Sequence, residues 1–205
     1  MISILKKLEY VEYLGNSVDI SALTGLNRIS NIKSINASGL GFLSYSANAP
    51  FNSLTTLTNN TGYIITSNDG DFPYFLYDGA DNAPRTSFTI TKILSIVTYR
   101  GPTIVLADSV IKNYVNQIYK VNNNGTGVNS FSPSAQFNQL TTLENGVTYY
   151  IYSSSVGWTL YDNTAVGPTT TTTAGPTTTT TAGPTTTTTA GPTTTTTAGP
   201  TTTTT

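Results

Sequence analysis

The chain has 205 residues, nine basic and ten acidic side chains, a net charge of −1, and neither histidine nor cysteine. Ser-His-Asp triads, Cys-His pairs, Cys/His zinc sites and disulfide frameworks are therefore excluded, and without a basic block the chain is a poor match for a phosphate backbone. No run of residues is long and apolar enough for a membrane span, so the expectation is a non-enzymatic protein with no cofactor, no nucleic-acid partner and no membrane insertion.

Residues 1–67 lie on residues 87–153 at a constant offset of 86 without a gap, and 24 of the 67 pairs are identical. An excess of this size marks a tandem duplication. After a two-residue difference the register resumes, with Leu76-Tyr77-Asp78 matching Leu160-Tyr161-Asp162. The boundaries expected from this are copy one at 1–78, a linker at 79–86 containing Pro84, copy two at 87–162, and a Thr-rich stalk at 163–205. Met1 lies one residue before the matched Ile2/Phe88 position, which leads to the expectation that no leader peptide precedes the first copy.

Each copy opens with a strand-like stretch, residues 4–13 and 90–99, ended by Gly15 or by Gly101-Pro102. Residues 19–28 and 106–115 carry apolar side chains at mixed spacing and predict a short helix in each copy, capped by Asp19 or Asp108. A strand follows at 29–36 and 115–122, then a Gly-x-Gly turn at Gly39/Gly41 and Gly125/Gly127, then another strand. Tyr63/Tyr149 and Ile65/Ile151 are identical and two apart, which places them on one buried sheet face. Between them Ile64/Tyr150 and Thr66/Tyr152 differ, as expected for positions facing solvent or different neighbours. Asn68-Asp69-Gly70-Asp71 predicts a hairpin turn in preference to a calcium loop, because the spacing and closing glutamate of an EF-hand are missing. With four or five strands per copy, the expected fold is mainly β: two tandem small β domains, sandwich or barrel-like, each with one short helix.

The tail from 167 to 205 repeats Gly-Pro followed by five threonines, the runs spaced by Ala-Gly-Pro. It has no charge and only alanine as an apolar side chain, so burial cannot offset the entropy of ordering it. Proline and β-branched threonine favour extended geometry. Stalks that combine Thr with Pro are O-glycosylation substrates, and the first threonine of each run, Thr169, Thr177, Thr185, Thr193 and Thr201, is the candidate acceptor. The three Asn-x-Ser/Thr matches at Asn36, Asn59 and Asn124 are what an Asn-rich chain produces by chance.

Trp158, equivalent to Tyr74 when the copies are aligned from their shared ends, is the candidate for stacking on a sugar or a partner surface. Glu9 and Glu12 have no pocket signal and are expected to be solvated. Strand edges exposed in small β domains are natural places for subunits to join.

The segments Leu54-Thr55-Thr56-Leu57 with Gly62-Tyr63-Ile64-Ile65, and Leu140-Thr141-Thr142-Leu143 with Gly146 and Tyr149-Tyr150-Ile151, resemble a motif of small β-rich modules in virion structural proteins of tailed bacteriophages and in related bacterial surface proteins. The Ala-Gly-Pro-Thr repeats resemble the ends of some phage structural proteins. The Pro-Gly turn of many such modules is replaced here by Asn59-Asn60-Thr61 and Asn145-Gly146. The resemblance implies a structural or adhesive component of a capsid, tail or fibre, located in a virion, whose partners are copies of itself or other structural subunits. Two alternatives remain open on sequence: a subunit of a glycosylated bacterial extracellular filament or surface layer, and a tandem carbohydrate-binding module that meets a cell-surface glycan.

Overall fold

The offset of 86 between the copies recurs in the backbone. The structure is a computed structural model that describes residues 1–163. Copy one contains β1 (Ile2–Ile4), β2 (Leu8–Tyr13), β3 (Val18–Asp19), β4 (Ile29–Ile35), β5 (Phe42–Tyr45), β6 (Thr56–Leu57), β7 (Thr61–Ser67) and β8 (Tyr74–Tyr77). Copy two contains β9 (Ser87–Ile90), β10 (Leu94–Thr98), β11 (Ile104–Val105), β12 (Val115–Val121), β13 (Val128–Phe131), β14 (Thr142–Leu143), β15 (Thr148–Ser153) and β16 (Trp158–Asp162). All pairings are antiparallel. A four-stranded sheet β2-β7-β4-β5 with ribbons β1-β8 and β3-β6 in copy one is matched by β10-β15-β12-β13 with β9-β16 and β11-β14 in copy two. The fold is mainly β, built from several small sheets.

The alternation read in the sequence places the core. Tyr63, Ile65, Tyr149 and Ile151 are buried, and the hydroxyls of Tyr63 and Tyr149 accept the backbone N–H groups of Thr58 at 2.7 Å and Glu144 at 2.8 Å. Those bonds satisfy the one polar atom each ring carries inside. Each copy has its own apolar cluster, Ile2 to Leu76 in one and Ile90 to Tyr161 in the other. Both copies belong to one compact unit, Met1–Thr164. The Thr-rich stalk lies outside the described residues from 164 onward, and the five candidate acceptors Thr169, Thr177, Thr185, Thr193 and Thr201 lie there too.

Three sequence expectations change. The stretches 4–13 and 90–99 are not single strands. β1 pairs with β8 whereas β2 pairs with β7, and the chain changes sheets at residues 5–7, where Leu5 N–H donates to Glu9 Oε1 at 2.8 Å. The same break separates β9 from β10. The predicted short helices reduce to 3-10 turns, Ile20–Ala22 and Leu26–Arg28 in copy one and Val110–Asn113 in copy two. Asp19 does cap the first, accepting from Ser21 N–H at 2.8 Å, but the cap in copy two is Ser109 rather than Asp108. Finally, residues 68–71 do not form a hairpin, because β7 and β8 lie in different sheets. Asp69 there accepts from Arg28 Nε at 2.5 Å and from Asp71 N–H at 2.7 Å, so the Asp-Gly pair shapes a loop between sheets.

The copies meet through the sheet faces opposite their cores, and the outer contacts are reciprocal. Lys6 Nζ donates to Asn122 O at 3.2 Å, and Lys92 Nζ, its equivalent, donates to Asn36 O at 3.1 Å. Leu8 N–H reaches Gly125 O and Leu94 N–H reaches Gly39 O, each at 3.0 Å. When residue i touches j of the other half and the equivalent of j touches the equivalent of i, the two halves are related by a pseudo-two-fold, as in an isologous dimer. Gly39 and Gly125 both have positive φ, 73° and 68°, and a Cβ on either would collide with the facing lysine. This explains the first glycine of each Gly-x-Gly turn better than a role as a hairpin bend alone.

Candidate functional site

The motif Phe-Asn-x-Leu-Thr-Thr-Leu separates into distinct duties. Its two leucines, Leu54 and Leu57 with Leu140 and Leu143, enter the cores. Thr55 O and Thr141 O accept the N–H of Ile20 at 2.8 Å and of Leu106 at 2.9 Å, joining the motif to the residue that follows β3 and β11. Asn52 clamps its own loop: its Oδ1 accepts from Ser46 N–H at 2.8 Å and its Nδ2 donates to Ser46 O at 3.2 Å. Asn138 does the same to Ser132, at 2.7 and 3.1 Å. An asparagine bonded to both polar groups of one residue replaces a strand partner and fixes the loop. On top of that fixed loop stand Phe51 and Phe137, 92% and 91% exposed.

A phenylalanine held in water on a clamped loop contributes no packing to the fold. Burying one against a partner is worth about 1.5–3 kcal/mol, so the chain carries two equivalent apolar anchors with nothing on them. The repeat alignment shows their identity, but identity alone does not separate core from surface. The clamp that turns Phe outward becomes visible only when Ser46 and Ser132 are seen at the far side of the loop.

The same loops close a strand edge. Leu54 N–H donates to Ser44 O and Leu140 N–H to Ser130 O, both at 3.0 Å, and in copy one Ser44 N–H is taken by Ser53 Oγ at 2.9 Å. At these points the outer edges of β5 and β13 are occupied by their own chain, so strand addition there would first have to displace the loop.

Tyr74 and Trp158 take equivalent places, opposite Ile4 and Ile90, as alignment from the shared ends suggests. Neither is an open platform: they are 7% and 8% exposed and belong to the cores. Arg28 covers the ring of Tyr74 at 3.8 Å, while its hydroxyl donates to Ser67 Oγ at 2.8 Å. Tyr114 stacks on Trp158 with centroids 5.5 Å apart, and the indole Nε1 donates to Ser155 O at 3.2 Å. A sugar would have to displace Arg28 or Tyr114 to reach either ring.

Glu12 is the correction among the acidic residues. Its side chain is only 3% exposed and meets Arg100 Nη2 of copy two at 2.7 Å, with Arg85 Nε at 3.8 Å. The repeat equivalents of Glu12 and Arg100 are Thr98 and Leu14, so this pair has no counterpart across the pseudo-two-fold. Beside it Tyr10 and Phe42 of copy one meet Tyr150 of copy two, with centroids 6.4 and 6.0 Å apart, and Tyr119 stacks on Tyr150 at 5.5 Å. Burial pushes the Tyr10 hydroxyl up to about 12, with Tyr150 and Tyr119 adding to the effect. Tyr150, where copy one has Ile64, is thus a position with a different neighbour.

A shallow cleft of about 240 Å³ lies where the copies meet, lined by Ser34, Asn60, Gly62, Arg85, Lys92 and Ile96 among others. It brings together no acid–base pair, and the Lys92 ammonium is already spent on Asn36 O. Among the described residues no group of three or more His, Cys, Asp or Glu side chains could hold a metal ion, and no helix is long and apolar enough to cross a membrane. No protein family, curated protein or solved structure matches this chain.

Proposed function

We propose that this protein is a structural or adhesive component of a virion, a capsid, tail or fibre part, whose folded region makes assembly contacts and whose threonine segment serves as a projecting stalk. The observation that carries this is the pair Phe51 and Phe137: two equivalent, almost fully exposed phenylalanines on loops fixed by Asn52 and Asn138. Single exposed apolar residues are ordinary on protein surfaces, but a matched pair held out by matched clamps is a bivalent anchor. Each copy is taken to be a small β-sandwich, its two ribbons covering the inner face of the four-stranded sheet, and the anchors stand beside the closed edges of those sheets. Burial of Tyr74 and Trp158 favours this reading over a tandem glycan-binding module resting on those two rings.

The test is incorporation. Phe51→Ser with Phe137→Ser in one chain is expected to fold with a thermal midpoint close to the parent, because surface changes cost within about 0.5 kcal/mol. The same variant should be lost from particles that sediment with the parent. Incorporation equal to the parent would overturn the proposal. Intact chains recovered in cell-attached filaments carrying added hexose masses would replace it with the extracellular-filament alternative.

A further inference from the structure

The contact between the copies has a reciprocal outer layer and a one-sided inner one. Lys6 and Lys92, with Leu8 and Leu94, make the same bonds from either half. Glu12 and Arg100 do not, since Thr98 and Leu14 stand at their equivalents. A pairing of copy one with another copy one would bury Glu12 against Leu14, leaving it only the longer 3.8 Å contact with Arg85 of the linker, and a pairing of copy two with copy two would leave Arg100 facing Thr98 without a carboxylate. An uncompensated buried charge is strongly unfavourable, so the one-sided pair selects against both self-pairings. Copy one fits copy two and rejects itself.

We propose that this face also pairs between molecules, copy one of one chain with copy two of another. The occupant is a second molecule of this protein, because every other chain presents the same copy-two surface, down to Arg100 and the Gly125 turn. No new contact is required. What separates the closed monomer from the exchanged form is concentration: a short linker holds its two ends at about millimolar effective concentration, and exchange gains as the protein concentration approaches that range. The linker meets copy one through a few surface contacts that exchange has to loosen: Asn82 N–H and Nδ2 donate to Leu14 O at 2.7 and 2.8 Å, Asp81 pairs with the Met1 ammonium, and Arg85 Nε stands 3.8 Å from Glu12. Since copy one and copy two are different faces, repeated exchange runs head to tail and extends as an open chain, whereas two molecules that exchange reciprocally close as a dimer. This deepens the assembly role proposed above and rests on it.

Among the described residues Glu12–Arg100 is the charge pair that joins copy one directly to copy two, with Arg85 of the linker at the longer distance, and this allows a swap. Glu12→Arg in one full-length chain and Arg100→Glu in another each place like charges in every pairing available to that chain alone. Mixed, they restore both pairs only by reciprocal exchange. The expected result is a complex carrying both tags at twice the 21.7 kDa of one chain, formed by the mixture and by neither variant alone. Glu12→Arg with Arg100→Glu in one chain should return to a folded monomer. A mixture that yields no doubly tagged species while this double variant is folded overturns the proposal.

If the single variants do not fold, parent chains with two different tags serve instead, unfolded in urea and refolded together at about 1 mM. Doubly tagged dimers that are absent when the chains are refolded apart and then mixed support exchange, and their absence in both procedures overturns it. Loss of exchange with particle incorporation intact would leave the assembly role standing. Particle incorporation unaffected by the phenylalanine changes would remove the assembly role whatever the exchange result.

Discussion

Lys6 and Lys92 each send an ammonium across the molecule to a backbone carbonyl of the other copy, Asn122 O at 3.2 Å and Asn36 O at 3.1 Å. The two residues are equivalent in sequence and equivalent in contact, and the facing glycines Gly125 and Gly39 leave room for their stems. Hydrogen bonds to charged groups contribute about 1.5–3 kcal/mol when well buried, and these are partly exposed. Lys6→Met and Lys92→Met should each cost about 1 kcal/mol, and the two losses should match. Urea midpoints of both variants check this. A large loss in one and none in the other would deny the pseudo-two-fold.

Glu12 and Arg100 behave differently because nothing mirrors them. Glu12→Gln leaves Arg100 and Arg85 without the carboxylate they face, and breaking a buried ion pair from one side costs about 3–5 kcal/mol. Replacing both, Glu12→Gln with Arg100→Met, should cost less than the sum of the two single changes. A double-mutant cycle by denaturant unfolding measures the coupling, and additivity would show that the pair does not act as a unit.

Asn60 has φ 56°, alone among the described non-glycine residues in being positive, and copy two has Gly146 at the equivalent place with φ 78°. Asparagine tolerates this region and β-branched residues do not. Asn60→Gly should leave the thermal midpoint within a degree or two of the parent, roughly a few tenths of a kcal/mol, whereas Asn60→Val should cost about 1–2 kcal/mol. Equal stability of the two variants would contradict the left-handed turn.

Sequence periodicity carried the four-stranded sheets because Tyr63, Ile65 and their equivalents repeat two apart with one face buried. It did not show the change of sheet at residues 5–7, because apolar side chains continue on both sides, Ile2 and Ile4 before it and Leu8 and Val11 after, and a periodic run does not say which sheet receives it. The Asp-Gly signal at 69–70 likewise records a tight local bend, while the pairing of β7 with β2 and β4 is decided by burial far along the chain. In the candidate site, repeat identity pointed to the Phe-Asn-x-Leu motif but not to which side of the loop Phe51 takes. Glu12 was hidden for the opposite reason. Its partner Arg100 lies at a position where the copies differ, and only the folded contact joins them.

Alkaline pH should unfold the protein. Burial pushes Tyr10 and Tyr149 up to about 12 and also raises Tyr13 and Tyr63. An unfolded tyrosine loses its proton near 10. Between about 10 and 12 the unfolded chain therefore binds fewer protons than the folded one, and stability falls as pH rises. With no histidine in the chain, no histidine titration contributes to stability between pH 5 and 8. On the acid side, the Asp71 N–H and the Arg28 guanidinium hold Asp69 below its ordinary value, so that contribution is lost as pH falls through the folded carboxyl range. Urea unfolding at a series of pH values, read with tyrosine absorbance, checks both limbs. Free titration of all tyrosines near pH 10 without unfolding would contradict the buried hydroxyls.

The most direct test of the assembly role is electron microscopy of particles purified from cells that make this protein, with an antibody raised against residues 1–163. Two-lobed density repeated at symmetry-related positions, labelled by the antibody and lost with Phe51→Ser and Phe137→Ser, is the expected result. Particles without label, and the protein recovered as free monomer in the soluble fraction, would contradict it.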